Sequence, residues 1–179
     1  PAECSQEGFS QTACGFVVEF ADIITGHVMN STATNVGGWP ATEMRQYLNG
    51  DIYNALPADL QSTIIDTKVV SGHGNSDSAN FTSTDKLYLL STTEVLGQEY
   101  GYDHDTGRDN TRQLDYYTED TTNSYSKAIK QLNGTNNFWW LRTATSNING
   151  AFHGVRFNGN RDNYTAYDTY GASPAFRIA

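Results

Sequence analysis

The sequence predicts an α+β domain, and three observations carry the prediction. Runs rich in β-branched and aromatic residues, the mark of strands, stand near both ends of the chain, at 14–29 and again from 136 to 179. Between them, over 39–66, the apolar residues change to helical spacing. Hydrophobic residues make up 37% and aromatics 12% of the 179 residues, enough to bury one core, and no linker or internal repeat divides it. The expected organisation is an N-terminal extension, 1–14, followed by one domain, 15–179. A start on Pro1, with no signal-peptide pattern, suggests a processed chain or a domain cut from something longer.

The elements follow in chain order. "CGFVVEFADIITGHVM" (14–29) reads as one or two strands, and "NSTATNVGG" (30–38) as a loop. In 39–66, Pro40 and Pro57 each fall where a first helical position would lie, with Asn49-Gly50 as a stop signal between them. Met44, Tyr47 and Leu48 share one helical face, and Leu60, Ile64 and Ile65 another, so two short amphipathic helices are expected. "TKVVSG" (67–72) reads as a strand, 73–85 as a polar loop, "KLYLLST" (86–92) as a buried strand and "TTEVLG" (92–97) as a short helix. Residues 98–123 are polar and read as a long insertion, with a short helix after it at "SYSKAIKQL" (124–132). "NNFWWLRT", "GAFHGVRFNG" and "GASPAFRIA" read as three final strands, Asn158-Gly159 being a hairpin turn.

Charge and motifs exclude several functions. A net charge of −9 and a pI near 4.7 argue against nucleic acid or an anionic membrane as partner, since phosphate binding needs clustered Lys and Arg. No apolar run approaches the ~20 residues of a membrane span, so direct membrane insertion is not expected. Cys4 and Cys14 form either a small disulfide loop or two inert thiols, and they are too few for a Cys-rich zinc site. His27, His73, His104 and His153 lack metal-ligand spacing. Asp103, Asp105 and Asp109 resemble the start of a calcium loop, but Arg108 and Leu114 stand where Gly and Glu are required, so a solvated acidic loop is the reading. The nucleophile elbow and both glycine-rich phosphate motifs are missing, and carboxylate pairs such as Glu119/Asp120 lie in polar loops. The chain is therefore expected not to be an enzyme, the rival being a hydrolase that uses Asp103 or Asp105. Four glycosylation sequons, at Asn30, Asn80, Asn133 and Asn163, are what an Asn- and Thr-rich chain produces by chance.

The C-terminal segment has a composition of its own. All 23 Lys, Glu, Gln, Met and Trp residues fall within 1–140, and 141–179 holds none, where about six would be expected at the upstream frequency. Asn, Asp, Thr, Tyr, Arg and Gly crowd into 157–179 instead, before the apolar alternation of "SPAFRIA".

"FWWLRT" (138–143) and "GASPAFRIA" (171–179) form a frame with "GGWPATEMRQYLNGDIYNALP" (37–57) and "STDKLYLLSTTEV" (83–95). Over roughly 15–179 this frame resembles an uncharacterised domain family of gut-bacterial surface proteins. Its C-terminal part is also similar to the C-type lectin-fold variable proteins of diversity-generating retroelements. In those systems a reverse transcriptase randomises template adenines, commonly in Asn codons ending in a pyrimidine. The outcome never includes Lys, Glu, Gln, Met or Trp, which is the set missing from 141–179.

The resemblance implies a C-type lectin-like fold, a small twisted antiparallel sheet with two helices, and no cofactor. Trp139, Trp140 and Leu141 would supply core area, Arg142 a fixed polar contact, and Pro174, Ala175, Phe176 and Ile178 a closing strand. Val155 and Gly159 would belong to the frame, within a variable region 141–173. The exposed ligand-binding positions would be Thr143, Thr145, Ser146, Asn147, Ile148, Asn149, Phe152, His153, Arg156, Asn158, Asn160, Arg161, Asp162, Tyr164, Tyr167, Asp168 and Tyr170. Their Tyr, Arg, Asn and Ser match the chemistry of antibody paratopes. The implied function is ligand binding at an extracellular bacterial surface or a phage particle, the partner being a protein or glycan on another cell or host surface. The alternative is a fixed-specificity adhesin or carbohydrate-binding module using Tyr164 and Tyr167. The Glu-Pro-Asn, Gln-Pro-Asp and Trp-Asn-Asp motifs of calcium-dependent sugar binding are missing, so the resemblance implies no metal. Formylglycine-generating enzymes share the fold but need a C-terminal cysteine pair, and no Cys follows Cys14.

Overall fold

In the computed structural model, which describes residues 1–97, 109–118 and 126–179, the first and last strands pair with each other. β1 (Phe16–Glu19) lies antiparallel to β12 (Ala175–Ile178), which also pairs with β3 (Ile64–Ile65). The larger sheet runs β10 (Arg161–Thr165), β9 (Ala151–Val155), β8 (Trp139–Ala144), β11 (Tyr170–Ala172) and β2 (Thr25–His27). Its neighbours are antiparallel except β8 and β11, which run parallel where Gly171 faces Trp139. β4 (Thr67–Ser71) with β5 (Phe81–Asp85) and β6 (Lys130–Leu132) with β7 (Thr135–Asn137) form two separate antiparallel pairs. The domain is α+β, as expected.

Two helical stretches fill 43–63, but the break between them differs from the expected one. The Thr42 hydroxyl accepts from the Arg45 amide and caps α1 (Glu43–Tyr47). The chain then passes through one π turn (Leu48–Ile52) into α2 (Tyr53–Ala55), so Asn49-Gly50 does not stop it. Asn49 is instead a tie to the next layer: its amide donates to Leu87 O (2.9 Å) while its oxygen accepts from the Lys86 and Leu87 amides. The break comes at Leu56-Pro57, before α3 (Ala58–Thr63). α4 (Thr92–Leu96) opens with a full capping box in which Ser91 and Glu94 bond each other's backbone amides.

Four further elements depart from the sequence reading. Residues 81–85 form β5 rather than loop, because Phe81 and the alternating threonines suit a strand once β4 lies alongside. "KLYLLST" is buried, but its only bridge is Tyr88 to Ala175; four consecutive apolar side chains are buried here without a ladder. Of the helix expected over 124–132, the described residues 126–132 form instead a 3-10 turn (Ser126–Ala128) followed by β6. β10 was hidden by its Asn- and Asp-rich composition.

The core gathers Trp39, Met44, Leu48, Leu87–Leu90, Trp139–Leu141, Phe152 and Phe176 between the helical layer and the large sheet. Trp139, Trp140 and Leu141 are fully buried, so they supply core area as expected. The N-terminal segment is built into the body rather than appended to it. Cys4 and Cys14 are disulfide-bonded, Gln11 N donates to Lys68 O (2.8 Å), and Ser10 and Thr12 are buried. No helix among the described residues is long and apolar enough to cross a membrane.

Candidate ligand-binding face

The C-terminal positions sort into three groups. Asn147, Ile148, Asn149, Arg156, Asn158, Asn160 and Tyr167 are exposed, on the β8–β9 loop, the β9–β10 turn and the β10–β11 turn. Ser146, Arg161, Asp162, Tyr164, Asp168 and Tyr170 are half-buried. Thr143, Thr145, Phe152 and His153 are buried, which corrects their placement on an exposed face. The reason is register. β8 carries an irregularity between Trp140 and Ala144, and both faces of β8 and β9 are covered, so alternation along them exposes nothing. The Thr143 hydroxyl accepts from Thr92 N (3.1 Å) and donates to Asp109 Oδ2 (2.9 Å). That of Thr145 donates to Ile148 O (2.7 Å) and Ala151 O (3.0 Å). Arg161 donates to His153 Nδ1 (3.0 Å).

The backbone beneath the exposed loops is fastened from outside the segment. The Asn35 side-chain amide donates to Thr145 O (3.1 Å), Ile148 O (3.3 Å) and Ala151 O (2.9 Å). Met29 N and Asn30 N both donate to Ala166 O (2.9 and 3.0 Å), and Ala166 N donates to Gly150 O (2.9 Å). Gly150 holds φ +81° against the Ala33 backbone, a place where a side chain would collide. None of these bonds uses an exposed side chain. Sequence reasoning missed Asn35, because a buried amide in an Asn- and Gly-rich loop looks like any other turn residue. Gly159, at φ +86°, makes the expected β9–β10 turn, closed by Arg156 N to Asn160 O (2.7 Å).

A buried ion pair anchors β8 below this face. Arg142 grips Glu94 through two bonds (Nη1–Oε2 2.6 Å, Nη2–Oε1 2.8 Å) and also reaches Leu89 O (2.9 Å) and Val70 O (3.3 Å). Thr12 and Thr111 hydroxyls donate to Glu94 Oε1. Burial pushes the Glu94 carboxyl upward, but the Arg142 charge and these hydrogen bonds outweigh it and hold the group below its usual range. Asp109, whose oxygens accept from Gly72 N and Thr143, goes the other way: burial raises it despite Arg142. Asp109 is therefore buried, not part of a solvated loop. Asp103, Asp105, His104, Glu119 and Asp120 lie outside the described residues, and no group of three His, Cys, Asp or Glu among the described residues could hold a metal.

On one side of the large sheet, aromatic rings form a continuous band. Tyr164 lies 4.3 Å from Tyr170, 5.4 Å from Phe138 and 5.7 Å from Trp140 between ring centroids, and Phe157 packs on Phe138 at 5.7 Å. Gly154 makes room, since a Cβ there would sit 2.9 Å from the Tyr164 ring and 2.7 Å from Trp139 O. Burial, with Asp162 nearby, pushes the Tyr164 phenol well above its ordinary range, so it stays a neutral hydroxyl. Phe138 falls in the expected frame and the exposed Phe157 outside the expected binding positions; the pairing of β8 with β9 and β11, and of β9 with β10, joins them to the band.

No curated protein and no solved structure matches the chain. A family model does, over residues 18–179, from the middle of β1 to the last residue, so it takes in the whole large sheet and its loops. The chain belongs to the family described as Domain of unknown function (DUF6273).

Proposed function

We propose that the domain is a ligand-binding module of C-type lectin-like fold, displayed at a bacterial or phage surface, whose C-terminal face is rewritten by a diversity-generating retroelement. One coincidence carries the reading. The segment emptied of Lys, Glu, Gln, Met and Trp supplies the exposed loops at 147–149, 156–160 and 167, and Asn35 fastens part of their backbone from outside it. A largely antiparallel five-stranded sheet with short helices packed along it supports the lectin-like fold. The ligand is a protein or glycan on another cell or host surface, bound without cofactor or catalysis.

The test lies in the flanking DNA. The reading expects a reverse transcriptase gene and a near-copy of the segment encoding 141–179, differing only opposite template adenines. A locus with neither overturns it. The aromatic band of Tyr164, Tyr170 and Phe138 favours a second reading, a fixed-specificity adhesin or carbohydrate-binding module that stacks a sugar ring. On a glycan array that reading expects one dominant signal, lost in Tyr164→Ala and Tyr167→Ala.

A further inference from the structure

A cleft of about 480 Å³ opens beside this face, between β2, α1 and the π turn. His27 and Tyr47 stack there, centroids 4.1 Å apart and planes 12° from parallel. Glu43, Asp51, Ser31, Gln46 and Val28 complete the lining, which contains no Lys or Arg among the described residues. Arg45, the basic residue of α1, is committed elsewhere, to Asp85 at 2.6 Å. The Glu43 carboxylate is held in place by the Ser31 amide and hydroxyl. His27 Nδ1 lies 2.7 Å from Val28 O, and since a carbonyl only accepts, Nδ1 carries the proton. In the neutral ring that leaves Nε2 as an acceptor. The cleft thus offers two carboxylates, an imidazole lone pair and a stacked ring pair, with no Lys or Arg among its described lining residues.

The cleft adjoins the strand that carries Tyr170. His27 sits opposite Tyr170 in the β2–β11 pairing, and Trp140 Nε1 donates to His27 O (2.9 Å). All of its lining residues precede 141, so it does not belong to the segment of unusual composition.

We infer that this cleft is a fixed subsite for a guanidinium or ammonium side chain of a protein ligand, one that stays constant while the neighbouring face changes. Charge complementarity selects the occupant: carboxylates attract the cation, and the half-buried Tyr47 ring beside them stabilises it further. A planar guanidinium fits best, because it stacks on the ring and donates to a carboxylate in the same pose. The inference rests on the ligand-binding reading only for the identity of the whole partner.

The probe is N-acetyl-arginine amide, titrated into the intact protein and followed by the NMR signals of His27 and Tyr47. Saturable shifts in the millimolar range are expected. The neutral isostere N-acetyl-citrulline amide should bind about tenfold more weakly, and Asp51→Asn and Tyr47→Ala should each weaken arginine binding severalfold. Asp59→Asn, on α3 away from the cleft, is the control and should change nothing. Asp51 is exposed, so its variant keeps the test open should Tyr47→Ala fail to fold. Equal binding of the two probes, indifference to Asp51→Asn, no saturable shift, or a monosaccharide moving the same signals while arginine does not would each overturn the inference. None of these outcomes bears on the flanking DNA, so the cleft and the variable face fail separately.

Discussion

Replacing Asn35 with alanine removes the donor that serves three backbone carbonyls at 145–151. The carbonyls are not equally dependent on it. Ile148 O and Ala151 O keep the Thr145 hydroxyl, whereas Thr145 O loses its partner inside the protein. One orphaned buried carbonyl and two weakened ones cost about 2–3 kcal/mol. Against that stands a gain of about 1 kcal/mol, because the Asn35 oxygen is itself buried without a hydrogen bond, and alanine removes it. The net loss expected is about 1–2 kcal/mol, or roughly 2–8 °C in Tm for a chain of this size. Asn35→Asp should be worse than alanine, because a carboxylate would face carbonyl oxygens across the same short distances. The assay is urea unfolding together with amide hydrogen exchange, and the protection lost should be concentrated at 145–151. If Asn35→Ala stays within ~0.5 kcal/mol of the parent and the loop keeps its protection, the loop is not held from outside and the reasoning is wrong.

Three further outcomes are expected. Arg142→Ala strands the Glu94 charge in the core and should cost about 3–5 kcal/mol, while the double variant Arg142→Leu/Glu94→Leu should lose much less than the two single changes summed; urea melts of the cycle read this. Stability should fall at both ends of a pH series from about 3 to 8. Glu94, held low, contributes fully above the ordinary carboxylate range and loses that contribution as acid takes the pH down through its folded value. Asp109, held high, contributes fully below that range and loses it as pH rises through its folded value, so Glu94→Gln should flatten the acid limb and Asp109→Asn the other. Opening the Cys4–Cys14 bond, which closes a short loop with a separation of 10 residues, should cost about 2–3 kcal/mol in the Cys4→Ser/Cys14→Ser protein.

What could be read in the sequence follows from which signals are local. Trp139–Leu141 and the last strand were legible because several large apolar residues in a row have nowhere else to go. The capping box at Ser91 and Glu94 is a local signal too, since a Ser followed three residues later by Glu is the spacing that closes it. β10 was illegible, since "RDNYT" has the composition of a turn and becomes a strand only through its register with β9. The burial of Thr143, Thr145, Phe152 and His153 was equally out of reach, because it depends on the irregularity in β8 and on what covers β9. Composition sets 141–179 apart, yet does not separate the side chains that face solvent from those that hold the sheet.

The account stands on the interchangeability of the exposed side chains, and a library measures it directly. Asn147, Ile148, Asn149, Arg156, Asn158, Asn160 and Tyr167 are randomised together and scored for protease resistance, beside a library of equal size at Thr143, Thr145, Phe152 and His153. Exposed-site members should fold in the large majority, since each change costs within ~0.5 kcal/mol, and buried-site members should mostly be lost. Equal survival in the two libraries, or collapse of the first, would contradict the claim that neighbours in the frame hold this backbone.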